Sequence, residues 1–169
     1  RLGDLDRARE GFDRVLALDP THPTALFNAG WIAERQGNFA QALAAYAAAL
    51  KSQPTLSLAD RAHRALALRL ATHPEASQRN GPVAREAMER WVREFGPTAQ
   101  DLALLAAAQA ECGDFPAAIA TVDRALTLGE RNPGKSAVLR GLESARKRYA
   151  MGQPLRLAPN RTPSAQQND

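Results

Sequence analysis

The 169-residue sequence is poor in cysteine, histidine, aromatic residues and long apolar runs. Its single cysteine, Cys112, excludes an internal disulfide and a zinc site built from several cysteines, and it leaves both the cytoplasm and the periplasm open as compartments. No apolar run reaches the roughly 18 residues that a membrane-spanning helix requires. We therefore expect no membrane span in these residues.

Catalytic and metal-binding patterns are also missing. His22 and His73 lie beside prolines in expected turns, and His63 has no second histidine one helical turn away. The glycines stand singly at expected helix ends, so the sequence has no glycine-rich phosphate-binding loop. For Cys112 we expect the role of a small buried apolar residue. We predict a protein that is not an enzyme and has no metal or cofactor.

Alanine and leucine are abundant. Hydrophobic residues make up 44% of the chain, whereas aromatic residues make up only 5%. Ala and Leu favour helices, and the β-branched residues that favour strands are sparse, so the composition predicts an all-α fold. From Pro154 onward Pro, Asn, Ser and Gln replace the helical pattern. We expect residues 153–169 to be an irregular or disordered tail that lies on another surface wherever it is ordered.

The net charge of +4 is concentrated near the C-terminus. Residues 131–169 contain eight basic and two acidic residues, which gives +6, whereas the 14 basic and 16 acidic residues before them give −2. The stretch Arg146-Lys147-Arg148-Tyr149 is a compact basic cluster of the kind that contacts phosphates. Because the cluster falls on the last expected helix, which needs a polar outer surface, we predict that it aids solubility and that nucleic acid is not a partner.

One pattern recurs along the chain. Gly37-Asn38-Phe39 opens a run of small and apolar residues at helical spacing, and Gly113-Asp114-Phe115 opens a similar run. Like residues are repeatedly separated by 34 positions. The pairs with this separation are Gly3 and Gly37, Ala8 and Ala42, Phe12 and Tyr46, Leu16 and Leu50, Pro20 and Pro54, Ala84 and Ala118, and Val92 and Leu126.

This period, with paired helices, resembles that of the tetratricopeptide repeat over about residues 1–128. Ala42 and Ala84 are 42 residues apart, so about eight residues are inserted between them. The stretch from Leu68 to Pro74, with Arg79-Asn80-Gly81, is similar to a variant repeat from the C-terminal end of bacterial arrays. The resemblance implies a right-handed α-solenoid of antiparallel helix pairs with a C-terminal capping helix.

We expect a single solenoid over residues 1–152. Its predicted parts are a half repeat (3–20), a repeat (23–54), a variant repeat (58–95), a repeat (98–128) and a capping helix (134–151). Because residue 1 falls inside a repeat, we expect the native N-terminus to lie upstream. The half-repeat helix has no preceding partner helix, so we also predict that its apolar face packs against another copy or captures a tail.

In the family that the chain resembles, the first helix of each pair lines the concave binding face. Those helices are expected at about residues 23–36, 58–71 and 98–112, and their non-packing residues are the candidate peptide-binding residues. These are Phe27, Asn28, Trp31, Glu34, Arg35, Arg61, Arg64, Leu68, Gln100, Leu104 and Glu111.

Five of these candidates have specific alternatives. The family often places an asparagine at the position of Asn28, where the amide offers a donor and an acceptor to a peptide backbone; the alternative is a solvated polar residue. Trp31 is either an apolar anchor for a partner or an ordinary packing residue. Arg35, Arg61 and Arg64 are either a basic strip for an acidic peptide or a solvated charged face. The lysine and asparagine clamp of chaperone-binding relatives is not reproduced, since lysine is nearly absent from the repeats.

The sequence therefore predicts a non-catalytic protein–protein interaction scaffold that binds a peptide segment or helix in its concave groove. The alternative is a regulatory or scaffolding appendage of a larger bacterial enzyme, such as a membrane glycosyltransferase. A catalytic or membrane domain upstream of Arg1 in the full reading frame would favour the appendage.

Overall fold

A computed structural model describes residues 2–52, 55–130 and 136–157. The described residues form eight α-helices, a short 3₁₀ helix at Ala76–Gln78 and no strand, which confirms the all-α prediction. Part of the predicted repeat end at Pro54, the start of the predicted capping helix and most of the predicted tail lie outside the described residues. The helices are α1 (Leu2–Leu18), α2 (Pro23–Arg35), α3 (Phe39–Lys51), α4 (Leu56–Thr72), α5 (Gly81–Phe95), α6 (Ala99–Glu111), α7 (Phe115–Glu130) and α8 (Ser136–Ala150).

The described residues divide into two compact units. Unit 1 ends at Ala62 and unit 2 is His63–Leu157, so the boundary falls within α4. In unit 1, α2 packs against both α1 and α3. In unit 2, α6 packs against α5, α7 and α8, and α7 also packs against α8. A single solenoid over residues 1–152 stays a prediction.

The recurring glycine motif forms the turn within a helix pair. Gly37 has a φ of 82°, a conformation that is easily adopted only without a Cβ. The N–H of Asn38 donates to the carbonyl of Ala33 at 2.8 Å and so satisfies one of the last carbonyls of α2. Phe39 then begins α3. Gly113, with a φ of 80°, occupies the same position between α6 and α7.

The inserted residues after α4 are held by a network of hydrogen bonds. Arg79 Nη1 donates to the carbonyls of His73 at 2.8 Å and Pro74 at 2.9 Å. The side chain of Asn80 accepts from the N–H of Val83 at 3.2 Å and caps the start of α5. The insertion is thus an ordered loop that sets where α5 begins.

Unit 1 is held together by a close approach of α2 and α3. Tyr46 is only 1% exposed, and a Cβ added to Gly30 would lie 2.9 Å from its ring. The absence of a side chain at Gly30 therefore lets the aromatic ring of α3 lie against the backbone of α2.

The apolar face of α1, for which the sequence provides no preceding partner helix, is partly exposed to solvent. Phe12 and Leu16 are partly exposed, and Leu18 is 90% exposed. The polar contacts of α1 in unit 1 include Arg9 Nη1, which donates to Oε1 of Gln36 at 2.9 Å. Self-association through this helix stays a prediction.

Both tyrosines of the chain lie in the core, and burial raises the pKa of each phenol. The pKa of Tyr46 rises to about 12, with the nearby Arg61 acting weakly in the opposite direction. The pKa of Tyr149 is also raised by burial, and Arg148 opposes that rise. Each phenol therefore ionises more readily in the unfolded chain than in the folded one.

We expect this difference to make the fold sensitive to alkali. The unfolded phenol ionises near pH 10, so the stability that depends on Tyr46 is fully present below pH 10 and falls as the pH rises towards about 12. The measurement is the absorbance of tyrosinate together with helix content during an alkaline titration. The urea-unfolded chain is the reference and should titrate near 10. Tyrosinate that forms near pH 10 while the helices remain intact would contradict the expected result.

Candidate functional site

The candidate residues of α2 occupy two different environments. Trp31 is 42% exposed, and the guanidinium carbon of Arg35 lies 5.4 Å from the centre of its ring. Asn28, one turn before Trp31, donates its amide N–H to the carbonyl of Thr24 at 2.9 Å. An amide has a second N–H and an acceptor oxygen in addition to the group used in that bond. Asn28, Trp31 and Arg35 therefore form a polar and aromatic surface on α2, which we call the Trp31 surface.

Phe27 does not belong with the non-packing residues. It is only 5% exposed, and its ring centre is 5.3 Å from that of Tyr46. The guanidinium carbon of Arg61 lies over the Phe27 ring, 4.5 Å from its centre. Glu34 is turned inward as well, since its carboxylate accepts from the Tyr46 hydroxyl at 3.1 Å. Phe27, Glu34 and Arg61 thus form a layer between the core of unit 1 and solvent. A partner would contact Arg61 before it reached Phe27.

Unit 2 contains an apolar pocket of about 230 Å³. Its walls come from α4, α6, α7, α8 and the residues that follow α8. Two predicted site residues, Leu68 and Leu104, lie in the wall, and Leu104 is only 9% exposed. The pocket exists because several lining residues of α6 and α8 are alanine or glycine, and larger side chains at these positions would fill it. The lining residues include Leu68, Thr72, Ala103, Leu104, Leu142 and Leu155.

Two further predicted residues, Arg64 of α4 and Gln100 of α6, pair with each other. Arg64 Nη1 donates to Oε1 of Gln100 at 2.8 Å. Arg64 Nε also lies 2.9 Å from Oδ1 of Asp101, a carboxylate that is only 1% exposed. Asp101 accepts in turn from the hydroxyl of Thr98 at 2.6 Å within a capping box at the start of α6. Arg64 is therefore a link between two helices as well as a surface cation.

Glu111 is the predicted site residue with the most specific surroundings. Arg79 Nε donates to its Oε1 at 2.7 Å, and Arg156 Nη1 lies 2.7 Å from its Oε2. The carboxylate side chain is 14% exposed. Two guanidinium groups from different segments therefore meet on one half-buried carboxylate.

Sequence reasoning missed Arg79, Leu155 and Arg156. Arg79 belongs to the stretch that resembles a variant repeat, but its neighbours in sequence do not indicate what its side chain contacts. The sequence predicts that Leu155 and Arg156 belong to a tail, because nothing in their local pattern indicates contacts with helices more than forty positions away. A Leu-Arg-Leu sequence beside prolines, in a polar segment, was the available signal.

The basic cluster of α8 is not one surface. Arg146 Nε pairs with Oδ1 of Asp123 at 2.6 Å, Arg148 is half-buried and Tyr149 is 1% exposed. The cluster is thus divided between the core and solvent, which disfavours a continuous contact with phosphates. That nucleic acid is not a partner stays a prediction.

Cys112 is exposed, so the prediction that it is a buried apolar residue is wrong. It directly follows α6 at the helix-ending turn, where side chains face solvent more readily than within the helix. Partial burial of the thiol still raises its pKa, with the Arg85 charge opposing that rise. A thiol with a raised pKa is a weak nucleophile at neutral pH.

Among the described residues, no three His, Cys, Asp or Glu side chains are grouped so that they could hold a metal ion. Over the same residues, no helix has both the length and the apolar character needed to cross a membrane.

The chain was compared with models of protein families. The family described as "Tetratricopeptide repeat" matches residues 1–57 and 33–94, which together make up more than half of the chain. No curated protein matches the chain. The matched residues contain α1 to α4 and all but the last residue of α5.

Proposed function

The chain belongs to the tetratricopeptide repeat family, and on that premise we propose that it is a scaffold that binds a segment of another protein on the first helices of its repeats. Tetratricopeptide repeats generally mediate protein–protein interaction and are typically non-catalytic. The first helices here are α2, α4 and α6. The proposed function is binding without chemistry, with a peptide segment or a helix as the ligand.

The Trp31 surface is the observation that carries this proposal. A tryptophan exposes 42% of its surface on α2, with a guanidinium beside it and an amide one turn away. Tryptophan and arginine are enriched among the residues that dominate binding energy, because a large ring gives contact area at a small cost in side-chain entropy. The amide of Asn28 can hold the backbone of an extended segment on both sides.

Replacing Trp31 with alanine tests the proposal. We expect the affinity for the partner to fall by about 2 kcal/mol, which corresponds to roughly 30-fold, because the apolar anchor is lost. Partners are first captured from an extract of the source cell with the wild-type chain and identified by quantitative mass spectrometry. The affinity of each purified partner is then measured by calorimetry for wild-type, Trp31→Ala and Asn28→Ala chains.

Val83→Ala is the matched control. Val83 is 47% exposed, close to the exposure of Trp31, but it lies on α5, which is the second helix of its pair. This variant should retain wild-type affinity. If Trp31→Ala and Asn28→Ala chains bind every captured partner as well as the wild-type chain does, the Trp31 surface is not the binding site.

A further inference from the structure

The residues that follow α8 lie on the helices of unit 2 in an extended conformation. The chain leaves α8 at Gly152, which has a φ of 68°, and residues 153–157 form neither helix nor strand. We call Gln153–Leu157 the C-terminal strap. Its last residue makes a main-chain hydrogen bond, in which the N–H of Leu157 donates to the carbonyl of Thr72 at 2.8 Å.

The strap makes apolar contacts as well. Leu155 packs against a buried cluster that includes Ala71 of α4 and Ala107 of α6. Leu155 also forms part of the wall of the 230 Å³ pocket, whose other walls include Leu68 and Leu104. One side chain of the strap is therefore an apolar anchor on the first helices of two repeats.

An ion pair of Arg156 also holds the strap in place. Arg156 Nη1 lies 2.7 Å from Oε2 of Glu111, and the same carboxylate accepts from Arg79 at 2.7 Å on its other oxygen. On the other side, Arg148 Nη2 donates to the carbonyl of Pro154 at 3.4 Å. Arg156, between Leu155 and Leu157, is thus held by a half-buried acid that is already oriented by the insertion loop.

These three kinds of contact are those by which a groove holds an extended peptide: a main-chain hydrogen bond, an apolar anchor and an oriented ion pair. We propose that the C-terminal strap is an intramolecular ligand of unit 2, and that unit 2 binds partner segments with the same apolar–arginine–apolar pattern once the strap is displaced. The inference rests on the proposed function, since both place a protein segment on the first helices. The inference adds the residue pattern of the bound segment, and it identifies the C-terminal strap as a competitor for the same site.

The pocket favours a side chain over a small-molecule ligand. Its volume of about 230 Å³ is below the roughly 300–1,000 Å³ of ordinary small-molecule sites. Its wall is built from glycine, alanine, valine and leucine residues, with Thr72 as the polar contributor. The Thr72 hydroxyl already donates to the carbonyl of Leu68 at 2.6 Å. The space beside Leu155 therefore suits an apolar side chain larger than leucine.

Competition by the strap is a matter of effective concentration. The strap directly follows α8, and a tethered segment of this kind has an effective concentration on the order of millimolar. A partner with the same contacts must exceed that concentration to displace it, whereas a partner that fills the pocket better displaces it at a lower concentration. Releasing the strap should raise the apparent affinity for a given peptide in proportion to the fraction of open sites.

The test uses the full chain and a fluorescent synthetic peptide with the sequence of residues 153–159, Gln-Pro-Leu-Arg-Leu-Ala-Pro. In the released variant, Leu155→Ser and Arg156→Glu remove the anchor and reverse the charge of the strap. We expect fluorescence anisotropy to show at least about tenfold tighter binding of the peptide to the released variant than to the wild-type chain. A peptide with glutamate in place of arginine should not bind either chain.

Glu111→Gln in the released variant should abolish peptide binding, because it removes the carboxylate and keeps the side-chain size. Glu143→Gln is the matched control, since Glu143 is exposed on α8, and it should leave binding unchanged. If the released variant does not bind the peptide, or if it binds no more tightly than the wild-type chain does, the strap is not a ligand that can be exchanged. Formation of dimers by the wild-type chain with exchanged straps would support the exchange, with a second copy as the partner.

A second measurement does not depend on the folding of a variant. In the wild-type chain, the amide of Leu157 should be protected from hydrogen exchange, and added peptide should remove that protection as it displaces the strap. Protection that persists at several times the expected millimolar effective concentration would overturn the proposal. Neither measurement involves Trp31. A failure here with Trp31-dependent binding intact would reject only the strap, and the reverse result would reject only the Trp31 surface.

Discussion

Replacing Asp101 with alanine is expected to lower the free energy of unfolding by about 3–5 kcal/mol, because it leaves a partly buried arginine without its acid. Asp101 is 1% exposed, and Arg64 Nε lies 2.9 Å from its Oδ1. The same carboxylate accepts from the N–H of Thr98 at 3.2 Å and from its hydroxyl at 2.6 Å. The Asp101 side chain therefore both caps the start of α6 and pairs with the guanidinium of Arg64 on α4.

Asp123→Ala is the matched control for this prediction. Asp123 also pairs with an arginine, at 2.6 Å from Arg146 Nε, but both side chains are about half exposed, at 49% and 50%. Because solvent screens such a pair, its loss should have little effect on the free energy of unfolding. Thr98→Ala separates the contribution of the cap, which we expect to be about 1 kcal/mol.

Urea denaturation, followed by circular dichroism, measures all three variants. The expected order of destabilisation is Asp101→Ala, then Thr98→Ala, then Asp123→Ala. If Asp101→Ala and Asp123→Ala have the same small effect, burial does not strengthen the Arg64–Asp101 pair. That result would also remove Arg64 from the residues that link α4 to α6.

The helices could be predicted from the sequence because their signals are local and are repeated. The expected first helices at 23–36, 58–71 and 98–112 agree with α2, α4 and α6 to within about two residues at each end. Gly37 and Gly113 both have a positive φ. The short glycine–polar–phenylalanine motif was therefore sufficient to locate two helix ends. Such signals depend on residues that are near in sequence.

The candidate site was harder to predict because its contacts join distant residues. Phe27 lies on the same helix as Trp31, and only the positions of Tyr46 and Arg61 decide that Phe27 is covered while Trp31 is exposed. Helical periodicity gives the direction of a side chain around its axis but does not identify what covers it.

The strap shows the same limit more strongly. Its composition indicates an irregular segment, and residues 153–157 are indeed non-helical. However, its order comes from Thr72 and Glu111, each of which lies more than forty positions away. A polar composition predicts that a segment cannot form a core of its own, but it does not predict whether another element supplies one.

Replacing Gly30 with alanine is expected to destabilise unit 1 by about 1–3 kcal/mol, because an added methyl group overpacks a filled site. The new Cβ would lie 2.9 Å from two atoms of the Tyr46 ring and 3.2 Å from the carbonyl oxygen of Ala42. Tyr46 is 1% exposed, and its hydroxyl donates to Glu34, so the ring cannot move without breaking a buried contact. The backbone of α3 must shift instead.

Gly11→Ala makes the same change where there is space. A Cβ added at Gly11 meets no atom within 4 Å, and the residue is exposed in α1 of the same unit. Alanine favours helix over glycine by about 0.8–1.0 kcal/mol, so this control should stabilise the chain. Thermal and urea denaturation should therefore show a lower free energy of unfolding for Gly30→Ala and a higher one for Gly11→Ala. If Gly30→Ala were stabilising like Gly11→Ala, α2 and α3 would not be held by the contact of Tyr46 with the backbone at Gly30. The packing of this repeat would then depend on the alanines that surround that contact.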